Sequence, residues 1–323
     1  MLGTPRRCRP TNLGSCAPQD PVIEPRVYPL IPVSRNDLEQ IVGGPIVRFA
    51  PVDGGLTNTL HRVVLADGGV VVVRHHAGGE QPFRDELATI ERIAGRLPVP
   101  ELVRADARHH AIVYRWIEGV TLDECRRGEP PAAFASLAGP LGRLLAWFAR
   151  CEPRDGERWD VVPILAQARL QLLEGRARAR LGTPLADSIA AALDRAAERL
   201  AWGTPCLSHG DIGGRNVLVR RIDGDRWRIA GVIDWEAAAS ASPLVDLGAL
   251  FRSADRYDAA FVTAFEHGYR EAGGSLPEGW LRISRLLDAT ALVDVLDEPR
   301  ELPGVFAECR MLVAKLAGEP AAA

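Results

Sequence analysis

The residues best placed to do chemistry lie in two short stretches. In Leu207-Ser208-His209-Gly210-Asp211-Ile212-Gly213-Gly214-Arg215-Asn216-Val217-Leu218-Val219, four loop residues separate a carboxylate from an amide that opens a β-rich run. Asp234 lies eighteen residues beyond Asn216, in Val232-Ile233-Asp234-Trp235-Glu236. The intervening Arg221-Ile222-Asp223-Gly224-Asp225 carries a hairpin signal, so both stretches can converge on one point. Singly, Asp211 and Asn216 read as turn residues, because Asx side chains beside glycine make turns for local reasons. Together with Asp234 they form the set that phosphoryl transfer requires. Asp211 suits the base that takes a hydroxyl proton, and Asn216 and Asp234 offer the oxygen ligands that Mg²⁺ prefers. A metal-dependent hydrolase built on His209, Asp211 and Asp234 is the second chemistry, but the chain has no H-E-x-x-H and no further His/Asp cluster.

The elements that must position these residues change character along the chain. Residues 1–33 hold seven prolines and no periodicity, which predicts an irregular arm. Ser34 and Asp37 form a capping box for a short helix with Leu38, Ile41 and Val42 on one face. Strands are expected at Ile46 to Val52, Thr59 to Leu65 and Val70 to His76, with Ala66-Asp67-Gly68-Gly69 as a hairpin turn. A helix from Pro82 to Leu97 and two short strands, Glu101 to Arg104 and Ala111 to Trp116, complete this half. Beyond Gly119, helices are expected at 121–127, 131–151, 162–181 and 184–202. Strand pieces follow at 206–211, 216–221 and 228–234, with helices again from Val245 to Leu316. The reading is an α+β fold: an irregular arm over 1–33, a small antiparallel lobe with one main helix over 34–117, and a larger helical lobe over 118–323.

Composition excludes several classes. Of 323 residues one is lysine, Lys315, and no Gly-Lys pair exists, so neither a Walker A loop nor a Schiff-base lysine in a pocket is supported. The six cysteines form no C-x-x-C pair, and the scatter of Cys8, Cys16, Cys125, Cys151, Cys206 and Cys309 reads as reduced thiols in a cytoplasmic protein. Adjacent His75–His76 and His109–His110 point to opposite faces of a strand and make no metal clip. A net charge of −3 predicts no nucleic-acid partner, and no apolar run reaches the roughly 18 residues of a membrane span. No secretory signal is read at the N-terminus, and the oligomeric expectation is a monomer or homodimer.

The His-Gly-Asp-x-x-x-x-Asn run followed by Ile-Asp-Trp-Glu resembles the catalytic signature of aminoglycoside phosphotransferases, choline kinases and their relatives. The resemblance covers roughly residues 46–255 and implies a protein-kinase-like two-lobe fold. It implies Asp211 as base, Asn216 and Asp234 as magnesium ligands, and His209 as a structural residue braced by Asp246. Gly54-Gly55-Leu56-Thr57-Asn58 resembles the nucleotide loop of this family, and glycine allows close approach of backbone N–H groups to phosphate. Arg74, ending the third strand, stands where a protein kinase has lysine. By spacing its helix partner is Glu86, with Glu91 the second choice. Val113 to Gly119 resembles the inter-lobe linker, where backbone at Arg115 and Ile117 would meet the purine. The implied donor is ATP or GTP with Mg²⁺, and the implied acceptor is a small molecule with a hydroxyl group. Glu266, Asp288, Asp294, Asp297, Glu298 and Glu301 give the helices after Asp234 an acidic bias. That bias predicts a cationic acceptor such as an aminoglycoside, with solvated helix faces as the plainer account. A macrolide, sugar or amino-alcohol kinase, or a nucleotide-binding pseudokinase, are the other readings.

Overall fold

A computed structural model describes residues 28–52, 57–152, 159–224 and 226–318. The first helix, α1 (Arg35–Val42), is held by the expected box: Ser34 Oγ accepts from Asp37 N, and Asp37 accepts from Ser34 N. It lies on a five-stranded antiparallel sheet of β1 (Ile46–Pro51), β2 (Thr59–Leu65), β3 (Val70–His75), β4 (Leu102–Asp106) and β5 (Ala111–Arg115), in the order β1-β2-β3-β5-β4. Strand alternation gives this sheet two different faces. Val63, Val71, Val73, Ala111 and Val113 form one core with Leu38 and Ile41 of α1. Ile112 and Tyr114 point the other way and join Phe83, Ile90 and Ile93 of α2 (Glu80–Ile93) in the main core. Arg74 therefore leaves β3 on the α2 side, toward Asp234 and Glu236.

The larger lobe opens with β6 (Val120–Thr121), which pairs with the expected hairpin of β8 (Val217–Asp223) and β9 (Arg226–Val232). β7 (Cys206–Ser208) pairs with β10 (Ala239–Ala241), bringing Ser208 opposite Ala239. The helices are α3 (Leu122–Gly128), α4 (Pro131–Ala135), α5 (Ala138–Phe148), α6 (Val161–Leu173), α7 (Arg176–Leu181), α8 (Thr183–Leu200), α9 (Pro243–Leu250), α10 (Ala259–Glu271), α11 (Trp280–Asp297) and α12 (Pro303–Ala317). Where single helices were expected over 131–151 and 162–181, the chain forms two in each case. Pro140 has no N–H and its ring opposes the carbonyl of Ser136, so a helix cannot run unbroken through that point. In the second case Asp297 of α11 accepts from Ala177 N (3.1 Å), a tertiary cap that starts α7 afresh. α9 and α11 pack closely: a Cβ on Gly248 would stand 2.2 Å from the Ser284 carbonyl oxygen. Among the described residues no helix is long and apolar enough to cross a membrane.

Candidate active site

Asp211, Asn216 and Asp234 converge where β7, β8 and β9 meet. The Asn216 side-chain amide donates to the Asp211 carbonyl (2.9 Å), and the Asn216 carbonyl accepts from Ile233 N (2.9 Å), next to Asp234. Asp234 has φ 70° and ψ 60°, a left-handed conformation that non-glycine residues avoid. Such backbone persists where its surroundings over-determine it, and here those surroundings are a buried network. The Trp235 indole is 1% exposed, donates to the Val232 carbonyl and lies against His209 at a tilt of 53°, ring centroids 4.7 Å apart.

His209 is fully buried and both ring nitrogens are engaged: Nε2 donates to the Ile233 carbonyl (3.0 Å) and Nδ1 accepts from Asp211 N (3.3 Å). That leaves the imidazole no lone pair for a metal, which removes the hydrolase built on it. Asp246, in the first turn of α9, accepts from His209 N (2.9 Å), Gly210 N (3.0 Å) and Ser208 Oγ (2.9 Å). The expected brace therefore reaches the backbone around His209, while the imidazole itself is tied to the strand leading to Asp234. Burial raises the Asp246 carboxyl above the ordinary value, and His209 with the three donors opposes the rise. Gly210 permits the turn: its φ is +83°, and a Cβ there would stand 2.3 Å from the Ala237 carbonyl oxygen.

From the small lobe, Arg74 is 6% exposed and faces three carboxylates: Glu86 (Nε to Oε2, 3.0 Å), Asp234 (2.5 Å) and Glu236 (3.0 Å). The Glu86 contact is an ion pair whose angle is too poor for a hydrogen bond. Glu86, 1% exposed, also meets the Tyr114 hydroxyl (2.9 Å) and His76 Nε2 (2.8 Å). Burial pushes the Glu86 carboxyl up, but Arg74, with help from His76 and Tyr114, outweighs it and holds the carboxyl below its ordinary value. Asn58 joins the lobes, donating through Nδ2 to Glu236 and accepting from Ala77 N (3.3 Å). Thr57 precedes it in a bend, while Gly54 and Gly55 lie outside the described residues. Arg115 is exposed and pairs with Glu101 (3.0 Å), and Ile117 packs against Gly231 of β9.

The model of the phosphotransferase enzyme family matches residues 48–284. The chain belongs to that family. Viomycin phosphotransferase of Streptomyces vinaceus is 30% identical over 154 residues, 48% of this chain, so the match spans less than half, 43%, of that relative's length. Among solved structures, the macrolide 2′-phosphotransferase of Brachybacterium faecium superposes with a TM-score of 0.61 at 20% identity, covering 88% of this chain and 96% of that one. A thermostable aminoglycoside phosphotransferase mutant, in ternary complex with ADP and hygromycin B, also gives 0.61 at 18% identity, covering 88% and 99%. The choline kinase of Streptococcus pneumoniae gives 0.63 at 13% identity, covering 88% and 96%. Identities this low establish the shared protein-kinase-like two-lobe fold.

Within this family member, the acidic bias of the late helices does not form an open anionic wall. Asp288 is bidentate on Arg252 (2.8 Å twice), Asp294 accepts from Gln171 and Asp297 caps α7. Glu298 pairs with Arg300, Glu301 with Arg180, and Glu266 with Arg270 and the Trp280 indole. Asp288, Asp294, Asp297 and Glu301 tie separate segments together, while Glu298–Arg300 and Glu266–Arg270 are local pairs, so the plainer account of paired helix faces fits better than an anionic wall for a cationic acceptor. The sequence also gave no signal for Arg252, whose Nη1 lies 3.7 Å from Asp211 Oδ1. Beyond it, Arg256 pairs with Asp123 (3.1 Å), whose N–H donates to the Gly214 carbonyl in the loop between Asp211 and Asn216. Lys315 of α12 holds Asp255 between them (2.8 Å). Glu236, two residues beyond Asp234, was legible as part of the motif but not as a partner of Arg74.

Proposed function

We propose that the protein transfers the γ-phosphoryl group of ATP or GTP to a hydroxyl group of a small natural product, with Asp211 as base. The observation that carries this reading is the convergence of Asp211, Asn216 and Asp234 beneath the Arg74–Glu86 pair, in a chain of the phosphotransferase family. The hydroxyl oxygen attacks the γ-phosphorus as its proton passes to Asp211. The bond from phosphorus to the β-bridging oxygen breaks, and the nucleoside diphosphate leaves. A relative solved with ADP and another solved with GDP support either nucleotide as donor.

The oxygen set fits Mg²⁺. Asn216 Oδ1 and Asp234 Oδ2 make no hydrogen bond among the described residues. No three His, Cys, Asp or Glu side chains there form a metal cage by themselves, which matches an ion that keeps phosphate oxygens and water as ligands. Asn216 and Asp234 would hold it, and the ion would neutralise charge on the bridging phosphates. Arg74, fixed by Glu86, would face those phosphates from the small lobe.

The relatives' names carry viomycin, macrolides and aminoglycosides, and an antibiotic hydroxyl is the proposed acceptor class. The test is to assay the purified chain with Mg-ATP and Mg-GTP against peptide antibiotics, macrolides, aminoglycosides and simple sugars. Nucleoside diphosphate release would be followed and the product ester located by NMR. Acceptor-dependent release with a new phosphate ester is expected. Nucleotide binding without transfer to any compound would replace the kinase reading with that of a binding module.

A further inference from the structure

The cation nearest Asp211 is Arg252, and its geometry selects what lies beside the reacting hydroxyl. Its Nε and Nη2 donate to Asp288 at 2.8 Å each, and the Asp288 side chain is only 5% exposed. A buried bidentate partner fixes the guanidinium plane. The close packing of α9 on α11 at Gly248 sets the two chain segments in register for this pair. Arg252 makes no side-chain hydrogen bond other than those to Asp288 among the described residues, and its side chain is 27% exposed. Nη1 stands 3.7 Å from Asp211 Oδ1, an ion-pair separation too long for a hydrogen bond. The outward N–H groups and the Asp211 carboxylate, itself 53% exposed, thus face common space.

Resting on the reading of Asp211 as the base, we infer that Arg252 is an acceptor-specificity residue. Its outward N–H groups donate to an oxygen on the carbon next to the phosphorylated hydroxyl, and they bar a protonated amine from that position. The chemistry is one-sided. Guanidinium has donors and no acceptor, so it pairs with a hydroxyl, ether, carbonyl or carboxylate oxygen and cannot pair with an ammonium group. Asp288 is paired with Arg252 and only 5% exposed, so that carboxylate is shielded from an amine in the cleft. The acceptor class is therefore a vicinal diol, hydroxy ether or hydroxy acid at the reacting position, and charged amines are confined to more distant parts of the molecule.

A matched pair of probes tests this: trans-cyclohexane-1,2-diol and protonated trans-2-aminocyclohexanol, each with saturating Mg-nucleotide. Binding would be read by saturation-transfer NMR and transfer by nucleoside diphosphate release. Wild-type protein is expected to favour the diol by about tenfold or more, the scale of one charge-assisted hydrogen bond. The double variant Arg252→Gln/Asp288→Asn, which leaves no buried carboxylate unpaired, should lose the preference while keeping its nucleotide affinity. Arg252→Lys should retain part of it. An amino alcohol bound as well as the diol, no binding of either, or a preference that survives in the double variant would each overturn the inference. If the double variant fails to fold, the wild-type preference alone decides. Diol binding without transfer would leave this subsite standing, and only a matching lack of transfer to every antibiotic in the panel would sink the kinase reading.

Discussion

Asp211 is open to the cleft on one side and enclosed by protein on the others. Burial raises its carboxyl above the ordinary value and Asp234 adds to the rise, while Arg252, His209 and Arg215 oppose it. A base must be ionised to accept a proton, so kcat/KM should fall as pH is lowered, with its midpoint displaced upward from the ordinary aspartate value. A pH–rate profile limited only at ordinary carboxylate pH would contradict the environment described. Asp211→Asn should lower kcat by at least about 10²-fold, with nucleotide affinity retained by calorimetry. Arg74 invites a different experiment, because its removal leaves Glu86 buried among Tyr114 and His76 without its cation. Arg74→Ala should cost on the order of 3 kcal/mol in urea unfolding and raise the nucleotide KM more than the acceptor KM. At this scale the sequence was most legible where residues are near in the chain. Asp211, Asn216 and Asp234 could be placed from one hairpin, and Glu86 from the spacing of a helix. Arg252 and Glu236 could not be assigned, because their partners depend on how α9, α11 and the two lobes pack.

Elements were legible to the extent that local patterning decides them. The β2 and β3 hairpin follows its turn residues, and α1 begins at its capping box. The helix breaks near Pro140 and Glu174 were missed for separate reasons. Pro140 acts locally, and its veto on the preceding carbonyl was available from sequence. The start of α7 depends on Asp297, 120 residues away, and no local pattern encodes it. The acidic run from Asp288 to Glu301 could not be decided for the same cause, since its partners Arg252, Gln171 and Arg180 come from distant segments. The turn that carries Asp211 makes an element-scale prediction. Gly210→Ala must place a Cβ against the Ala237 carbonyl in a left-handed conformation. It should destabilise the protein by about 2 kcal/mol or more and depress kcat, both read on the same preparation by denaturant titration and steady-state kinetics. Native stability in that variant would mean the loop can close another way.

Across the whole molecule, stability and pH are linked through the outer face of the small lobe. His75 is 2% exposed, its Nε2 has no hydrogen-bond partner among the described residues, and burial, with His61, His109 and His76 adding to it, lowers its pKa to about 4. The unfolded chain holds this proton with an ordinary pKa near 6.5, so unfolding takes up a proton between those values. The contribution of neutral His75 is complete above about pH 6.5 and is lost as pH falls toward 4, on the order of 2–3 kcal/mol. Urea midpoints measured from pH 7.5 to 4.5 should fall for wild type and fall less for His75→Leu; parallel curves would assign the loss to other groups. The solitary Lys315 has a practical consequence of another kind. Besides the α-amine, it is the chain's one primary amine, 43% exposed, and its ammonium grips Asp255, next to Arg256 and three residues after Arg252. An amine-reactive fluorophore would thus attach at one known side-chain address. Its emission would report, molecule by molecule, how the segment beside the catalytic loop responds when nucleotide and acceptor arrive.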